Sequence, residues 1–295
     1  MPGLSRLEHV ELGVVDLDAG LDFYMRVMGM AELGRQGGTV YLGYGFDDNY
    51  DLAIRQGRTG LRHFAVRVDD DEAVVHYAHR LKDVGVETER RNGTEPGQET
   101  AVRFALPSGA TMELVSVRDR RYHQPTAPVR QVSGDCPVDI HHINLMSVDV
   151  NTDAMFLHDV LDFKLSDVKQ SQAQFWIQVF SRYGPQHHDV GITMATNHHH
   201  HLHHVAWTMT DWDHMRSFID RLARSGIALE LGPSRHVTGS SLFAYFWEPG
   251  GNRFELSSQA AVLDPSSPTR YTDADLGDIS AWGPLLVPPT FGRGT

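Results

Sequence analysis

Apolar and polar positions along the chain repeat one outline four times. Each copy opens with alternating apolar residues, continues with apolar residues at helical spacing, and ends with two or three further alternating stretches. The opening stretches are LEHVELGVV, LRHFAVRV, IHHINLMSV and HHVAWTMT. The helical stretches are DLDAGLDFYMRVMGM, DEAVVHYAHRLKDVGV, NTDAMFLHDVLDF and DWDHMRSFIDRLARSGI. This fixed order predicts an α+β fold of four βαβββ units.

The helical stretches also carry the signals of a buried face and of a helix start. The apolar residues that we expect in the core are Leu21, Phe23, Tyr24, Val27, Met28, Met215, Phe218, Ile219 and Leu222. Asp16 and Asp18 stand where an N-cap is expected in the first copy, and Asn151 and Asp153 do so in the third.

One segment rich in proline and polar residues, RDRRYHQPTAPVRQVSGDCPV, separates the second copy from the third and has no periodicity. We therefore predict an N-terminal domain at 1–120, a linker at 121–137 and a C-terminal domain at 138–260, each domain built from two units. The proline-containing stretch 261–295 is predicted to wrap over a domain surface.

Composition removes several classes of protein. The formal charge of −12 disfavours a nucleic-acid partner, because phosphates would be repelled and no Lys/Arg stripe offsets the repulsion. Cys136 is the only cysteine, which excludes an intrachain disulfide framework and a zinc–thiolate site. No run approaches the roughly 18 apolar residues of a membrane span, and the N-terminus lacks a secretory signal layout. We expect a soluble, cytoplasmic protein.

Histidine is unusually abundant, with 18 residues, many of them between positions 187 and 204. The run His198–His201 is expected to be a solvated loop, but each half also repeats two histidines and one glutamate on its strands. The matching residues are His9 with His142, His63 with His204, and Glu113 with Glu255. Two imidazoles and one carboxylate suit Fe(II), Mn(II) or Zn(II), and they leave one face of the metal free for substrate and dioxygen.

Only the C-terminal half has further proton-transfer groups near this set. His188 lies in HHDVGI, His236 lies in GPSRH, and Tyr245 lies ten residues before the glutamate. At the matching place the N-terminal half has Arg103. We therefore interpret the N-terminal set as a remnant without catalytic function.

The segments HDVGI, LHHVAW, GPSRH and YFWEPGGNRFEL closely resemble type I extradiol dioxygenases of the catechol 2,3-dioxygenase and homoprotocatechuate 2,3-dioxygenase kind. The four units resemble the vicinal oxygen chelate superfamily over nearly the whole chain. The resemblance implies the glyoxalase-like fold of that superfamily, with the units paired into two domains. It implies that the metal ligands are His142, His204 and Glu255, that the catalytic residues are His188, His236 and Tyr245, and that the substrate contacts are Asn144, His236 and Tyr245. His141 and His203 match non-ligand positions.

The resemblance also implies the reaction. A catechol-type diol would be opened beside its two hydroxyl groups with dioxygen as co-substrate, giving a hydroxymuconic semialdehyde-type product in aromatic catabolism. The implied cofactor is Fe(II), with Mn(II) as the alternative, and a homo-oligomer is usual. Leu231 departs from members that act on carboxylated side chains, because these have an arginine five residues before the histidine matched by His236. A neutral alkyl- or aryl-catechol is therefore expected, since a buried carboxylate would lack its partner.

Other functions remain open on the sequence alone. One alternative is another enzyme of the same superfamily, such as a glyoxalase-type isomerase or a thiol transferase. A second is a protein that only sequesters an aromatic ligand. Neither alternative needs the set His188, His236 and Tyr245 around the metal, and this fold hosts many chemistries.

Overall fold

The computed structural model describes residues 3–44, 49–118, 135–275 and 279–295. Within them the chain forms four consecutive βαβββ units, which confirms the predicted α+β repeat. The first unit contains β1 Leu4–Val14, α1 Leu17–Asp22, a π-helical turn Phe23–Val27, β2 Ala31–Gln36, β3 Thr39–Gly43 and β4 Leu52–Gln56. The second contains β5 Gly60–Val68, α2 Asp71–Asp83, β6 Thr88–Asn92, β7 Gln98–Ala105 and β8 Thr111–Val117.

The third and fourth units repeat this order. The third contains β9 Ile140–Ser147, α3 Val150–Leu161, β10 Lys164–Gln170, β11 Trp176–Arg182 and β12 Val190–Met194. The fourth contains β13 Leu202–Thr208, α4 Trp212–Arg224, β14 Leu229–Arg235, β15 Leu242–Trp247 and β16 Arg253–Ser258. The C-terminal stretch adds β17 Arg270–Asp273 and a 3-10 turn Pro289–Gly292.

An aspartate side chain begins each of the four helices. Asp16, Asp70, Asp149 and Asp211 each accept the backbone N–H of the residue three positions later. The prediction of Asp16 is confirmed, whereas those of Asp18, Asn151 and Asp153 are wrong, since Asp18 lies in the first turn of α1. Helix α3 starts earlier, at Asp149, and the carboxylate of Asp153 is buried and accepts the N–H of Ser108 at 2.9 Å.

The strands form two sheets, one from each half of the chain. The first has the order β2-β3-β4-β1-β5-β8-β7-β6, and the second has the order β14-β15-β16-β13-β9-β12-β11-β10-β17. In each sheet the first strands of its two units pair antiparallel at the centre, as β1 with β5 and as β13 with β9. The predicted linker 121–137 falls almost wholly outside the described residues, so the domain boundaries stay a prediction.

The apolar faces of helices and strands form the core, as the hydrophobic pattern predicts. Of the apolar helix residues expected there, all are buried except Ile219, which is half-buried. Aromatic side chains of the N-terminal half pack against aromatic side chains of the C-terminal half. The contacts are Phe23 with Phe246, Tyr24 with Phe254, and Tyr44 with Trp207.

The C-terminal stretch follows the second sheet. Strand β17 pairs parallel with β10 at the sheet edge. Thr295 exchanges two backbone hydrogen bonds with Leu202 on β13, of 2.9 and 3.0 Å. This stretch therefore contacts the sheet at its edge strand and again at a central strand. None of the helices in the described ranges is long and apolar enough to cross a membrane.

Candidate metal centre

One face of the second sheet carries a row of side chains across four strands. Tyr245 on β15 is paired with Glu255 on β16. Ala206 on β13 is paired with Glu255 on one side and with His142 on β9 on the other. His204 lies two residues before Ala206 and therefore on the same face. Because the middle of the row carries only a methyl group, the imidazoles and the carboxylate can converge above it.

A β-bulge lies next to each of the two histidines. The register between β9 and β13 skips His141 on one strand and His203 on the other. Bulges re-aim side chains beside active sites. Here each bulge brings two consecutive imidazoles together, with Nδ1 to Nδ1 distances of 2.7 Å for His141 and His142 and 2.6 Å for His203 and His204.

Three atoms converge at the centre of the face. Nε2 of His142 lies 3.2 Å from Nε2 of His204. Oε2 of Glu255 lies 3.1 Å from the first nitrogen and 2.9 Å from the second. All three residues are buried. The carboxylate oxygen and the two imidazole nitrogens thus lie within contact distance of one another in a buried space.

The hydrogen bonds behind His204 decide which of its nitrogens carries the proton. Nε2–H of His203 donates to the carbonyl of Phe291 at 2.9 Å, because a carbonyl can only accept. Burial lowers the pKa of His203 well below its usual range, so Nδ1 of this neutral ring keeps a lone pair. Nδ1–H of His204 therefore donates to it, and Nε2 of His204 keeps a lone pair too.

This lone pair faces the carboxylate of Glu255 at 2.9 Å, which is repulsive unless a cation lies between them. His204 does not supply the cation itself at neutral pH, because burial lowers its pKa to about 4. Oε1 of Glu255 is also buried without a hydrogen-bond partner. The donor set of two imidazole nitrogens and one carboxylate thus fits a divalent metal such as Fe(II) or Mn(II).

His188 lies beside this centre. Its ring centroid is 4.2 Å from that of His142 and 4.8 Å from that of Phe180. The residue is buried, and burial lowers the pKa of its imidazole well below the usual range. The structure thus brings this predicted acid–base residue against a predicted metal ligand.

His236 and Tyr245 form a hydrogen-bonded pair on the other side. Nδ1–H of His236 donates to the carbonyl of Ile279 at 3.0 Å, so in the neutral form of the ring Nε2 accepts the hydroxyl of Tyr245 at 3.1 Å. Burial and Glu255 raise the pKa of Tyr245 well above its usual value, which keeps it a neutral phenol. Its oxygen remains able to accept a hydrogen bond from a ligand.

Asn144 is the remaining predicted site residue. It is buried on β9 and pairs in register with His204. Its Oδ1 accepts the hydroxyl of Thr193 at 2.9 Å. A side chain at Gly191 would come within 2.6 Å of its amide nitrogen, so glycine there leaves the space that the amide occupies. The run His198–His201, in contrast, lies on a largely exposed loop, as predicted.

The N-terminal half has a matching row of side chains on the corresponding strands of its own sheet. Arg103, Glu113, Ala65 and His9 are paired across β7, β8, β5 and β1. Nε2 of His9 lies 3.2 Å from Nε2 of His63. The row differs from its C-terminal copy at one end, where an arginine takes the place of the tyrosine.

The guanidinium of Arg103 lies on the groups that would bind a metal. It donates to Glu113 at 2.8 Å and to Glu95 at 3.0 Å, and it lies 3.0 Å from Nε2 of His63. His9 is neutral, because burial, His63 and Arg103 lower its pKa well below the usual range. Although the residue types could hold an ion, an internal cation already takes up their charge.

Three features of the site were not expected from the sequence. The carbonyls of Ile279 and Phe291 fix two site histidines, and Asp167 holds His187 through a 2.6 Å contact between Oδ2 and Nε2. A backbone carbonyl that accepts a hydrogen bond cannot be recognised from the residue type. An aspartate within a strand pattern does not reveal its partner either. Only the doubled histidine HHD at 187–189 could have suggested a supporting residue.

Comparisons with known proteins agree with this geometry. Residues 139–256 match the model of the Glyoxalase/Bleomycin resistance protein/Dioxygenase superfamily. Residues 61–119 match the Catechol 2,3-dioxygenase-like N-terminal domain. The two matches fall on the second sheet and on the second unit of the first sheet.

Individual relatives cover nearly the whole chain. A manganese-dependent 2,3-dihydroxybiphenyl 1,2-dioxygenase of Geobacillus genomosp. 3 is 27% identical over 97% of this chain and 96% of its own length. A metapyrocatechase of Geobacillus stearothermophilus is 26% identical over 89% of this chain and 84% of its own length. The crystal structure of homoprotocatechuate 2,3-dioxygenase from Arthrobacter globiformis superposes with a TM-score of 0.87 at 25% identity, covering 100% of this chain and 92% of that one.

The curled sheets and the buried His–His–Glu set define a metalloenzyme of the glyoxalase-like fold. The chain belongs to the Glyoxalase/Bleomycin resistance protein/Dioxygenase superfamily, and within it to the extradiol ring-cleaving dioxygenases of the vicinal oxygen chelate type. It is thus an oxidoreductase that acts on an aromatic diol with dioxygen.

Replacing His142, His204 or Glu255 with alanine should remove metal and turnover together. Loss of one of three donors should lower turnover by more than about 100-fold, beyond the roughly 10–100-fold typical of losing an outer hydrogen-bond partner. Metal content after dialysis and oxygen uptake measure the two effects. His9→Ala is the matched control, because it occupies the equivalent row in the other half and should keep both properties. Normal metal content in all three variants would contradict the ligand assignment.

Replacing Arg103 with alanine should open a second metal site. The change leaves Glu95 and Glu113 without their shared cation and frees Nε2 of His63. We expect about one divalent ion per wild-type chain and about two per Arg103→Ala chain, because the two buried carboxylates lose the one cation that lies on both of them. Elemental analysis counts the ions. Arg103→Lys keeps the charge and should stay at the wild-type count; an alanine variant that also stays there would contradict this assignment.

Proposed function

We propose that the chain cleaves a catechol with a neutral alkyl or aryl substituent, at a metal held by His142, His204 and Glu255. The observation that carries the proposal is the convergence of their three donor atoms within 3.2 Å of one another. The flanking groups support it, since an acid–base histidine lies on one side and a phenol–imidazole pair on the other. A glyoxalase-type isomerase or a sequestering protein has no need of both.

A bound Fe(II) or Mn(II) would supply open positions through which electrons can pass from the diol to dioxygen. The role of His188 is to take a proton from the diol and to return one as the ring opens. An imidazole suits both steps, because one nitrogen of its neutral form accepts a proton and the protonated ring can return it. Tyr245, held through His236, would orient one diol oxygen by accepting its hydrogen bond.

Apolar residues beside Tyr245 support a neutral substituent. Leu231 is buried and packs with Phe243 and Tyr245. Three residues of the C-terminal stretch pack against this group: Ile279, Leu285 and Phe291. A carboxylate placed among these apolar side chains would lose its hydration, which is costly without a cationic partner.

A nearby buried arginine does not supply that partner. The guanidinium of Arg253 is 0% exposed and donates to Glu230, to the carbonyls of His203 and Arg293, and to that of Thr290. Its face lies 5.2 Å from the ring centroid of Phe291. This cation is therefore engaged by Glu230, by β13 and by the C-terminal stretch.

We infer Fe(II) as the cofactor, with Mn(II) as the alternative, because two imidazoles and a carboxylate suit both ions. The first relative named above is described as manganese-dependent, which supports including Mn(II) in every assay. A cytoplasmic homo-oligomer also stays a prediction from the family resemblance.

The first experiment is anaerobic loading with Fe(II) or with Mn(II), followed by oxygen uptake and visible absorbance on adding a set of diols. The set contains catechol, 3-methylcatechol, 4-methylcatechol, 2,3-dihydroxybiphenyl and homoprotocatechuate. We expect one oxygen consumed per diol, a coloured ring-opened product, and higher kcat/KM for the neutral diols than for homoprotocatechuate. Metal-bound protein that consumes no oxygen with any diol would favour the isomerase, thiol-transferase or sequestering alternatives.

The Leu231→Arg variant tests whether the absence of a cation at this position determines the preference for a neutral substituent. A charge-assisted hydrogen bond contributes about 1.5–3 kcal/mol, so the variant should shift kcat/KM toward homoprotocatechuate by about tenfold or more relative to a neutral diol. If wild type already prefers the carboxylated diol, the proposed substrate class is wrong while ring cleavage stands.

Replacing His188 with phenylalanine should slow ring opening while metal stays bound. A general acid–base residue contributes about 10²–10⁴-fold to rate, and the phenyl ring fills the place of the imidazole against His142 and Phe180. Single-turnover absorbance measures the chemical step, and elemental analysis measures the metal. His198→Phe, on the exposed loop, should leave both unchanged. Unchanged ring opening in His188→Phe would remove the proposed role.

A further inference from the structure

A second buried histidine lies directly behind His188. Nδ1 of His187 is 2.9 Å from Nδ1 of His188, and Nε2 of His187 is 2.6 Å from Oδ2 of Asp167. All three residues are buried. They form a line from β10 to the candidate metal centre, and nothing in the proposed ring cleavage uses its two outer members.

The charge on Asp167 already has a cationic partner. Nε and an Nη of Arg270, on β17, lie 2.9 and 3.0 Å from the two carboxylate oxygens. His187 is therefore not needed as a second cation. In the neutral form of the ring, Nε2–H donates to the carboxylate, which can only accept, and Nδ1 keeps a lone pair.

This lone pair determines the tautomer of His188. Two Nδ1 atoms at 2.9 Å need one proton between them, and only His188 can provide it. Nδ1–H of His188 thus donates to His187. Its other nitrogen, Nε2, keeps a lone pair at the end of the ring away from His187, which is the form that can take a proton from a bound diol.

The surroundings hold His187 in place. A side chain at Gly239 would lie 2.8 Å from Nδ1 of His187, in a backbone conformation with φ of +76° that favours glycine. The backbone N–H of His187 donates to the carbonyl of Ala261 at 2.9 Å, and the N–H of Ala261 donates to the carbonyl of Gly239 at 2.8 Å. Backbone hydrogen bonds thus hold the main chain of His187, and its two ring nitrogens contact Asp167 and His188.

The pair His203 and His204 uses the same arrangement independently. There the carbonyl of Phe291 takes the place of Asp167 and leaves Nε2 of the inner ring with a lone pair. An outer histidine anchored on an acceptor thus lies behind the metal-binding candidate His204 and behind the acid–base candidate His188.

We propose that His187, anchored by Asp167, is a positioning residue that holds His188 in the tautomer able to take a proton at Nε2. The proposal rests on the role given above to His188 in ring cleavage. His187 is not one of the residues that converge on the metal position, and it would act through the hydrogen bond to its neighbour.

Two amide substitutions test the proposal, because each replaces one ring nitrogen. In His187→Asn the amide oxygen can accept from His188 at the place of Nδ1. In His187→Gln the longer amide reaches toward Asp167 at the place of Nε2 and offers His188 no acceptor. We expect His187→Gln to lower kcat about 10–100-fold, as losses of outer hydrogen-bond partners do. We expect His187→Asn to stay within about threefold of wild type, a difference under 1 kcal/mol.

The two His187 substitutions are also made in the His188→Phe variant. If His187 acts through His188, His187→Gln should lower kcat no further in that background, because coupled residues are not additive. Metal content and KM for the diol, measured on the loaded holoenzyme, should stay unchanged in the His187 variants.

Equal kcat values for the asparagine and glutamine variants would overturn the proposal, as would a full further loss on His188→Phe or a loss of bound metal. If His188→Phe alone leaves ring opening unchanged, the role of His188 in the proposed function fails as well. If only the His187 results disagree, the proposed function stands and this inference fails.

Discussion

The site depends on the placement of protons on imidazole rings. Each inner histidine can face the centre with a lone pair only if its other nitrogen donates a hydrogen bond outward, and at His204 the acceptor is a neighbouring histidine anchored on the carbonyl of Phe291. The converging lone pairs beside Glu255 then repel one another. That repulsion is the cost of a preformed metal site, because a bound cation turns the same contacts into attraction.

The two halves of the chain contain similar rows of residues, but one row forms a candidate metal site and the other an internal ion cluster. Both present a histidine, an alanine and a glutamate in one cross-strand row, with a second histidine nearby. In the C-terminal half the row ends at Tyr245, which is neutral and leaves the carboxylate charge for a metal. In the N-terminal half it ends at Arg103, whose guanidinium neutralises the carboxylates directly. The arginine thus takes up internally a charge that the C-terminal row leaves for an ion.

Sequence patterns predicted the four units and the triad because both depend on side chains that recur at fixed spacing. The residues His142, His204 and Glu255 could be recognised since their strands align with those of His9, His63 and Glu113. The start of α3 was misplaced, because several polar residues precede that helix and only the backbone geometry selects Asp149. The partnership of Asp167 with His187 joins residues 20 positions apart on different elements, and neither periodicity nor motif records such a contact.

The C-terminal stretch completes the site for a physical reason that the repeat alone cannot satisfy. Carbonyls inside a sheet point toward the neighbouring strands, where they accept ladder bonds, so they are poorly placed for a histidine ring that stands on the face of the sheet. Ile279 and Phe291 lie outside the ladders of both sheets, and their carbonyls are free to accept from His236 and His203. Arg270, from the same stretch, neutralises Asp167. The repeated units provide the side chains that face the metal position. The non-repeated C-terminal stretch provides the carbonyls that determine which nitrogen of His203 and of His236 carries a proton.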